Sequence, residues 1–152
     1  MSQNKSPFHA SAQKPLALLV DDHPATREIL RLIFERAGWA VAEAGDARGA
    51  LDGVRCLHPQ LVTLDLVMPI NEGFHSVDLV QTIDAEAPGT LLIIISAFSD
   101  QPPIKTFFND REIPVLSKTN LDKPRLSRLL TEIRQDLESA IVRAEPESAG
   151  SN

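Results

Sequence analysis

Short apolar runs and amphipathic stretches alternate along the chain from Leu16 to Arg143. Leu16–Val20 (LALLV) is continuously apolar, and Leu91–Ile95 (LLIII) is the most strongly apolar run. Unbroken apolarity over so few residues suits strands covered on both faces. Ala40–Ala44, Leu61–Leu66 and Pro114–Ser117 read as three more strands. Between them apolar residues recur at helical spacing. Ile29, Leu30, Ile33, Phe34 and Ala37 form one such stripe, and Gly38 is its natural stop. Asp46 can cap a second helix bearing Ala47, Ala50, Leu51, Val54 and Leu57, which breaks before Pro59. Phe74, Val77, Val80 and Ile83 mark a third, closed by Pro88-Gly89. Pro102 and Pro103 open a fourth, with Ile104, Phe107 and Phe108 inward. The last runs from about Pro124 to Arg143 and buries Leu126, Leu129, Leu130, Ile133 and Leu137. Strict strand–helix alternation predicts an α/β fold with a doubly wound, five-stranded parallel sheet.

Composition narrows the classes. A chain of 152 residues, 43% hydrophobic and 24% charged, suits one compact domain. Residues 1–14 and 144–152 are small and polar and read as a flexible leader and tail around a domain at 15–143. The net charge of −6 has the wrong sign for a dedicated nucleic-acid binder. One cysteine, Cys56, excludes an internal disulfide and a cysteine-based zinc cage; it reads as a small core or boundary residue. No apolar stretch is long enough to span a membrane, and Met1 to Lys14 lacks a signal-peptide centre, so the expected location is cytoplasmic.

The polar residues gather at strand ends. The first, third, fourth and fifth runs lead into Asp21-Asp22, Asp65, Ser96 and Lys118. Each alone reads as a turn former, a cap or a solvated charge. In an open α/β sheet, however, all four fall on the rim where ligands bind. Three carboxylates brought together repel, so a cation must join them or some must take up protons. Mg²⁺, a hard ion that uses one or two carboxylates plus phosphate oxygens, matches that set. A lysine and a hydroxyl alongside supply a point charge and a hydrogen-bond donor for phosphoryl oxygens. One carboxylate can then attack phosphorus and form an acyl phosphate.

With these residues in place, the chain from about Pro15 to Ile141 resembles the receiver domain of two-component response regulators. The acidic pair Asp21-Asp22, the string LDLVMPINEG around Asp65 with Gly73 eight residues on, Ser96 and Lys118 carry the resemblance. It implies a flavodoxin-like strand order, 2-1-3-4-5. It implies that Asp65 is the phosphoacceptor and that Asp21, Asp22, Asp65 and the backbone carbonyl of Val67 hold Mg²⁺. Ser96 would bond a phosphoryl oxygen and Lys118 would pair with the phosphoryl group, and with Asp65 before it arrives. Ala97 would leave the phosphoryl path open; apolar Val67 and Phe98 would hinder an attacking water and lengthen the lifetime of the acyl phosphate. The donor would be a sensor histidine kinase or a phosphotransfer domain, and the output an unknown protein target rather than nucleic acid or membrane. Enzymatic turnover beyond the domain's own phosphorylation and dephosphorylation is not expected.

Three positions depart from that family's pattern. Val115 stands where an aromatic is usual, Thr119 where proline follows the lysine, and Arg111-Glu112 where a small Gly-Ala pair is usual. All lie around the fourth helix and fifth strand, the family's usual output face. They motivate the alternative of a receiver-like scaffold or adaptor whose output is independent of phosphorylation. An aspartyl-phosphate phosphatase of the haloacid-dehalogenase type fits less well, because Asp21-Asp22-His23 is not its DxD arrangement. His9, His23, His58 and His75 lack metal-ligand spacing, and His23 reads as an incidental rim residue. Trp39 reads as a cover for the end of the first helix. Leu126, Leu130, Ile133, Leu137 and Ala140 at four–three spacing admit a homodimer seam on the last helix as well as a core stripe. Nine residues follow Arg143, so a stand-alone, single-domain response regulator is the expected form.

Overall fold

The computed structural model describes residues 13–66 and 76–144. Five strands, β1 (Leu16–Val20), β2 (Ala40–Ala44), β3 (Leu61–Leu64), β4 (Leu91–Ser96) and β5 (Val115–Ser117), alternate with five helices. The helices are α1 (Pro24–Arg36), α2 (Ala47–Leu57), α3 (Ser76–Glu86), α4 (Pro102–Asn109) and α5 (Lys123–Ala144). All strand pairs are parallel, in the order β2-β1-β3-β4-β5.

Because side chains alternate across a strand, each apolar run feeds two cores. Leu18, Val20, Val62, Leu64, Leu92 and Ile94 face one side, where Ala50 and Val54 of α2, Leu79, Val80 and Ile83 of α3 and Phe108 of α4 cover them. Ala17, Leu19, Leu61, Ile93, Ile95 and Leu116 face the other, under Leu30 and Phe34 of α1 and Leu126 and Leu130 of α5. Trp39 is fully buried in this second core. Its Nε1 donates to the carbonyl of Leu130 at 3.1 Å, and its ring meets Phe34 edge-on, so it ties α5 to the end of α1.

Local chemistry sets the boundaries. Asp46 caps α2 as expected, its Oδ1 accepting from the backbone N–H of Gly49 at 2.7 Å. Gly38, just past α1, takes φ +90°, which its missing Cβ permits.

Several expectations are corrected. The third strand ends at Leu64, not Leu66, because Asp65 turns toward the rim. The fifth begins at Val115 rather than Pro114, which has no N–H for the ladder. The last helix runs one residue into the expected tail. Cys56 is exposed rather than a core residue. Ile29, Leu57 and Val77 are also exposed, so their helices are narrower on the buried side than the apolar count suggested. Leu79, not Val77, joins Val80 and Ile83 in the core. Phe74, the turn with Gly73 and the carbonyl of Val67 lie outside the described residues.

Candidate phosphoacceptor and metal site

Parallel strands end on one edge, and the strand order reverses at β1, whose neighbours β2 and β3 lie on opposite sides. A crevice at such a reversal is where α/β sheets bind ligands. Asp21 and Asp22 leave the sheet from β1, Asp65 from the adjacent β3. Both turns stay tethered to the ladder: Asp21 N–H donates to the carbonyl of Ala44 and Asp65 N–H to that of Val20, each at 3.1 Å. Ser96 ends β4 fully buried, and the backbone N–H of Lys118 donates to its carbonyl at 3.0 Å. Four strand ends separated by up to 97 positions therefore meet on one rim.

Lys118 joins them. Its Nζ lies 2.9 Å from Asp65 Oδ2, 2.9 Å from Asp21 Oδ2 and 3.0 Å from His23 Nδ1. The side chains of Asp21 and Asp65 are each 3% exposed and that of Lys118 is 15% exposed, so these charges interact in a medium far less screening than water. Burial alone would lower the Lys118 pKa; the hydrogen bonds to Asp65 and Asp21 outweigh it and hold the ammonium above its ordinary range. Ser96 Oγ accepts from the backbone N–H of Phe98 at 3.1 Å, which leaves the hydroxyl proton to be donated. Phe98 itself is 45% exposed beside it.

The acidic loop is braced from two sides. His23 N–H donates to Asp21 Oδ1 at 2.8 Å, a local turn that also starts α1 at Pro24. From α1, Arg27 Nη1 reaches back to the carbonyl of Asp21 at 2.6 Å while its Nε holds Glu43 at 3.0 Å. Neither brace was evident in the sequence. Arg27 sits one turn into an unremarkable helix, and only the fold shows that it faces the loop. His23 had a signal, adjacency to the acidic pair.

One carboxylate oxygen stands out. Asp22 Oδ1 is buried and has no hydrogen-bond partner. His23 Nδ1 is 2.9 Å away, but too poorly aligned to bond it. An orphaned carboxylate oxygen beside two further carboxylates is the donor set of a hard divalent cation. One ligand atom each from Asp21, Asp22, His23 and Asp65 lie within 4.8 Å of one another. The residues present therefore fit Mg²⁺.

Comparison with known proteins agrees with this geometry. The family model of the response regulator receiver domain matches residues 17–133. The chain belongs to the receiver family. Among curated relatives, the DNA-binding response regulator MtrA of Mycolicibacterium smegmatis is 35% identical over 83 residues, 55% of this chain and 35% of that one. A protein-glutamate methylesterase/protein-glutamine glutaminase of Hahella chejuensis is 31% identical over 85 residues, 54% of this chain and 23% of that one. The alignments thus span about a third or less of these relatives. The receiver domain of Francisella response regulator 1452 superposes with a TM-score of 0.70 at 20% identity, covering 82% of this chain and 99% of that one. The receiver domain of AraT, a response regulator from Geobacillus stearothermophilus, has a TM-score of 0.70 at 23% identity, covering 85% and 99%. These two likenesses concern the fold. Among the described residues, no helix is long and apolar enough to cross a membrane.

Proposed function

We propose that this receiver takes a phosphoryl group on Asp65 from a phosphohistidine of a sensor kinase or phosphotransfer protein and signals through protein contacts. The observation that carries the reading is the position of Lys118 Nζ, 2.9 Å from both Asp65 and Asp21. It holds the nucleophilic carboxylate in place and stands ready to pair with an arriving phosphoryl oxygen. In the transfer, a carboxylate oxygen of Asp65 forms a bond to phosphorus as the phosphorus–nitrogen bond of the donor breaks. The imidazole leaves with the electron pair and takes up a proton, and Asp65 becomes an acyl phosphate. Lys118 then moves its ion pair from Asp65 to the phosphoryl group, and Ser96 donates its hydroxyl proton to another phosphoryl oxygen. Mg²⁺ held by Asp21, Asp22 and Asp65 would neutralise phosphoryl charge during the transfer.

The receiver unit is taken as residues 15–143. A groove of about 330 Å³ opens next to Lys118, lined in part by Thr26, Ile29, Thr119 and Leu121. Ile29 and Leu32 of α1 stand 47% and 51% exposed, an apolar landing for the phosphodonor protein. Phe98, half-exposed and bonded through its N–H to Ser96, supports slow hydrolysis as an apolar neighbour of the site. The test is incubation with acetyl phosphate and Mg²⁺ followed by a phosphate-affinity gel. A retarded band in the wild type that is absent in Asp65→Asn is the expected result. No retardation in either protein, with partner binding intact, would instead favour the phosphorylation-independent adaptor.

A further inference from the structure

His23 is exposed at its outer edge, with 62% of its side chain accessible, yet Nδ1 points inward and is crowded. It lies 2.9 Å from Asp22 Oδ1, 3.3 Å from Asp21 Oδ1 and 3.0 Å from Lys118 Nζ. One ring nitrogen carries either a proton or a lone pair. With a proton it faces the Lys118 ammonium, donor against donor. With a lone pair it accepts from Lys118 but opposes two carboxylate oxygens. Neither state satisfies all three neighbours. A divalent cation accepts the lone pair and attracts both carboxylates at once, while the Lys118 ammonium, which it repels, keeps its ion pair with Asp65.

We infer that His23 is an imidazole ligand of the acidic pocket, so that the site selects transition-metal divalent ions over Mg²⁺. The inference rests on the proposed metal-holding role of Asp21, Asp22 and Asp65. Nitrogen and oxygen ligands of Mn²⁺ or Ni²⁺ stand about 2.1 Å from the ion, so opposite ligands are about 4.2 Å apart. The candidate atoms span at most 4.8 Å, so a closing movement of about half an ångström brings them to that distance. An imidazole in an otherwise carboxylate set adds most affinity for Ni²⁺ and less for Mn²⁺, whereas Mg²⁺ prefers oxygen and water. The backbone strengthens the placement. His23 is the N-cap of α1 and its N–H is fixed to Asp21, so the backbone from which the ring leaves is held beside the acidic pair.

The experiment uses the full chain without any phosphodonor. Affinities for Mg²⁺, Mn²⁺ and Ni²⁺ are measured by calorimetry for the wild type and for His23→Gln, which keeps a polar side chain but has no imidazole. Pulsed electron paramagnetic resonance on the Mn²⁺ complex reads nitrogen coordination directly. The expected result is ¹⁴N modulation in the wild type, lost in His23→Gln and in Asp22→Asn and displaced by excess Mg²⁺. The Ni²⁺-to-Mg²⁺ affinity ratio should fall at least tenfold in His23→Gln. An unchanged ratio, or a wild-type Mn²⁺ complex without ¹⁴N modulation, overturns the inference. Phosphorylation is read separately on the gel, so a protein that binds Mn²⁺ through nitrogen but is never phosphorylated sinks the functional proposal and leaves this one standing.

Discussion

Two regions flank Ser96 and Lys118, and they are built on opposite principles. The acidic rim packs Asp21, Asp65 and Lys118 out of water and leaves Asp22 Oδ1 without a hydrogen bond. Its charges are fixed and in conflict. The α4–β5 flank is lightly held: Phe108 is the one fully buried side chain of an eight-residue helix, beside a three-residue strand. Its apolar contacts are few and mostly partial. The rim is poised for a ligand that resolves its conflict, the flank for movement, since elements with few buried contacts open at low free energy. The two meet through backbone, because Lys118 follows β5 directly and its N–H bonds Ser96.

The comparison makes Phe108 the most sensitive position. Phe108→Ala empties a fully buried site that sits against Phe107 at 4.9 Å between ring centroids. A loss of about 3–5 kcal/mol is expected by urea unfolding. Hydrogen exchange should show α4 and β5 opening well before the rest of the sheet. Uniform loss of protection across all five strands would mean that the flank is no weaker than the core.

Lys118→Met tests the rim. It leaves Asp21 and Asp65 facing each other without their cation, and a cost of about 2–4 kcal/mol follows for breaking a pair this buried. The pH dependence has a definite sign. Lys118 has its folded pKa raised above the ordinary lysine value, so the stability it adds is complete below that value and is lost as pH rises through the folded pKa. Wild type should therefore destabilise in strongly alkaline buffer, and Lys118→Met should lack that component. Thermal melts across the alkaline range check both.

Asp22→Asn should act in the other direction. It removes one charge from a site with three carboxylates and one ammonium, and a gain of about 0.5–1 kcal/mol is expected in metal-free buffer. Millimolar Mg²⁺ should reverse the ranking, since only the wild type is stabilised by binding the ion. A melt with and without Mg²⁺ decides it. Equal stability of the two proteins in chelator would show that the orphaned oxygen costs nothing.

The rim was legible in the sequence and the flank was not, for a physical reason. Asp21-Asp22, Asp65, Ser96 and Lys118 are each bound to a strand end, and strand ends follow from apolar runs as plain as LALLV and LLIII. Once the sheet is parallel, its rim is fixed. The strand boundaries at Leu64 and Val115 were blurred because bonding to the neighbouring strand carries on into Asp65, whose N–H donates to Val20, and into Pro114, whose carbonyl accepts from Ile94. Exposure on the helices was harder still. Ile29, Leu57 and Val77 fit a helical stripe by spacing, but a helix lying on a sheet buries a narrower strip than that spacing counts. Arg27 acts through geometry that no run of residues encodes, and His23 offered only its place beside the acidic pair.

The smallest effect sits where the chain departs from its family. Glu112, in place of a small residue, adopts φ +56°, a left-handed conformation that a side chain disfavours. It follows Arg111, whose guanidinium stacks 3.7 Å from the Phe107 ring centroid and whose Nη1 donates to the Phe107 carbonyl at 3.0 Å. The helix end closes as a Schellman turn, with Ile113 N–H donating to the Phe108 carbonyl and Glu112 N–H to that of Asn109, each at 3.0 Å, and this turn puts Glu112 in the left-handed conformation and leads the chain toward β5. Strain of about 1 kcal/mol is the consequence, and Glu112→Gly should release it at some entropic cost in the unfolded chain, for a net gain of about 0.5 kcal/mol. Glu112→Ala keeps a Cβ in the same conformation and should gain nothing. If the two variants melt together above wild type, the Glu112 side chain rather than its backbone was the source of the cost. If only glycine gains, the flank stores strain at the turn between α4 and β5, the strand that leads directly into Lys118.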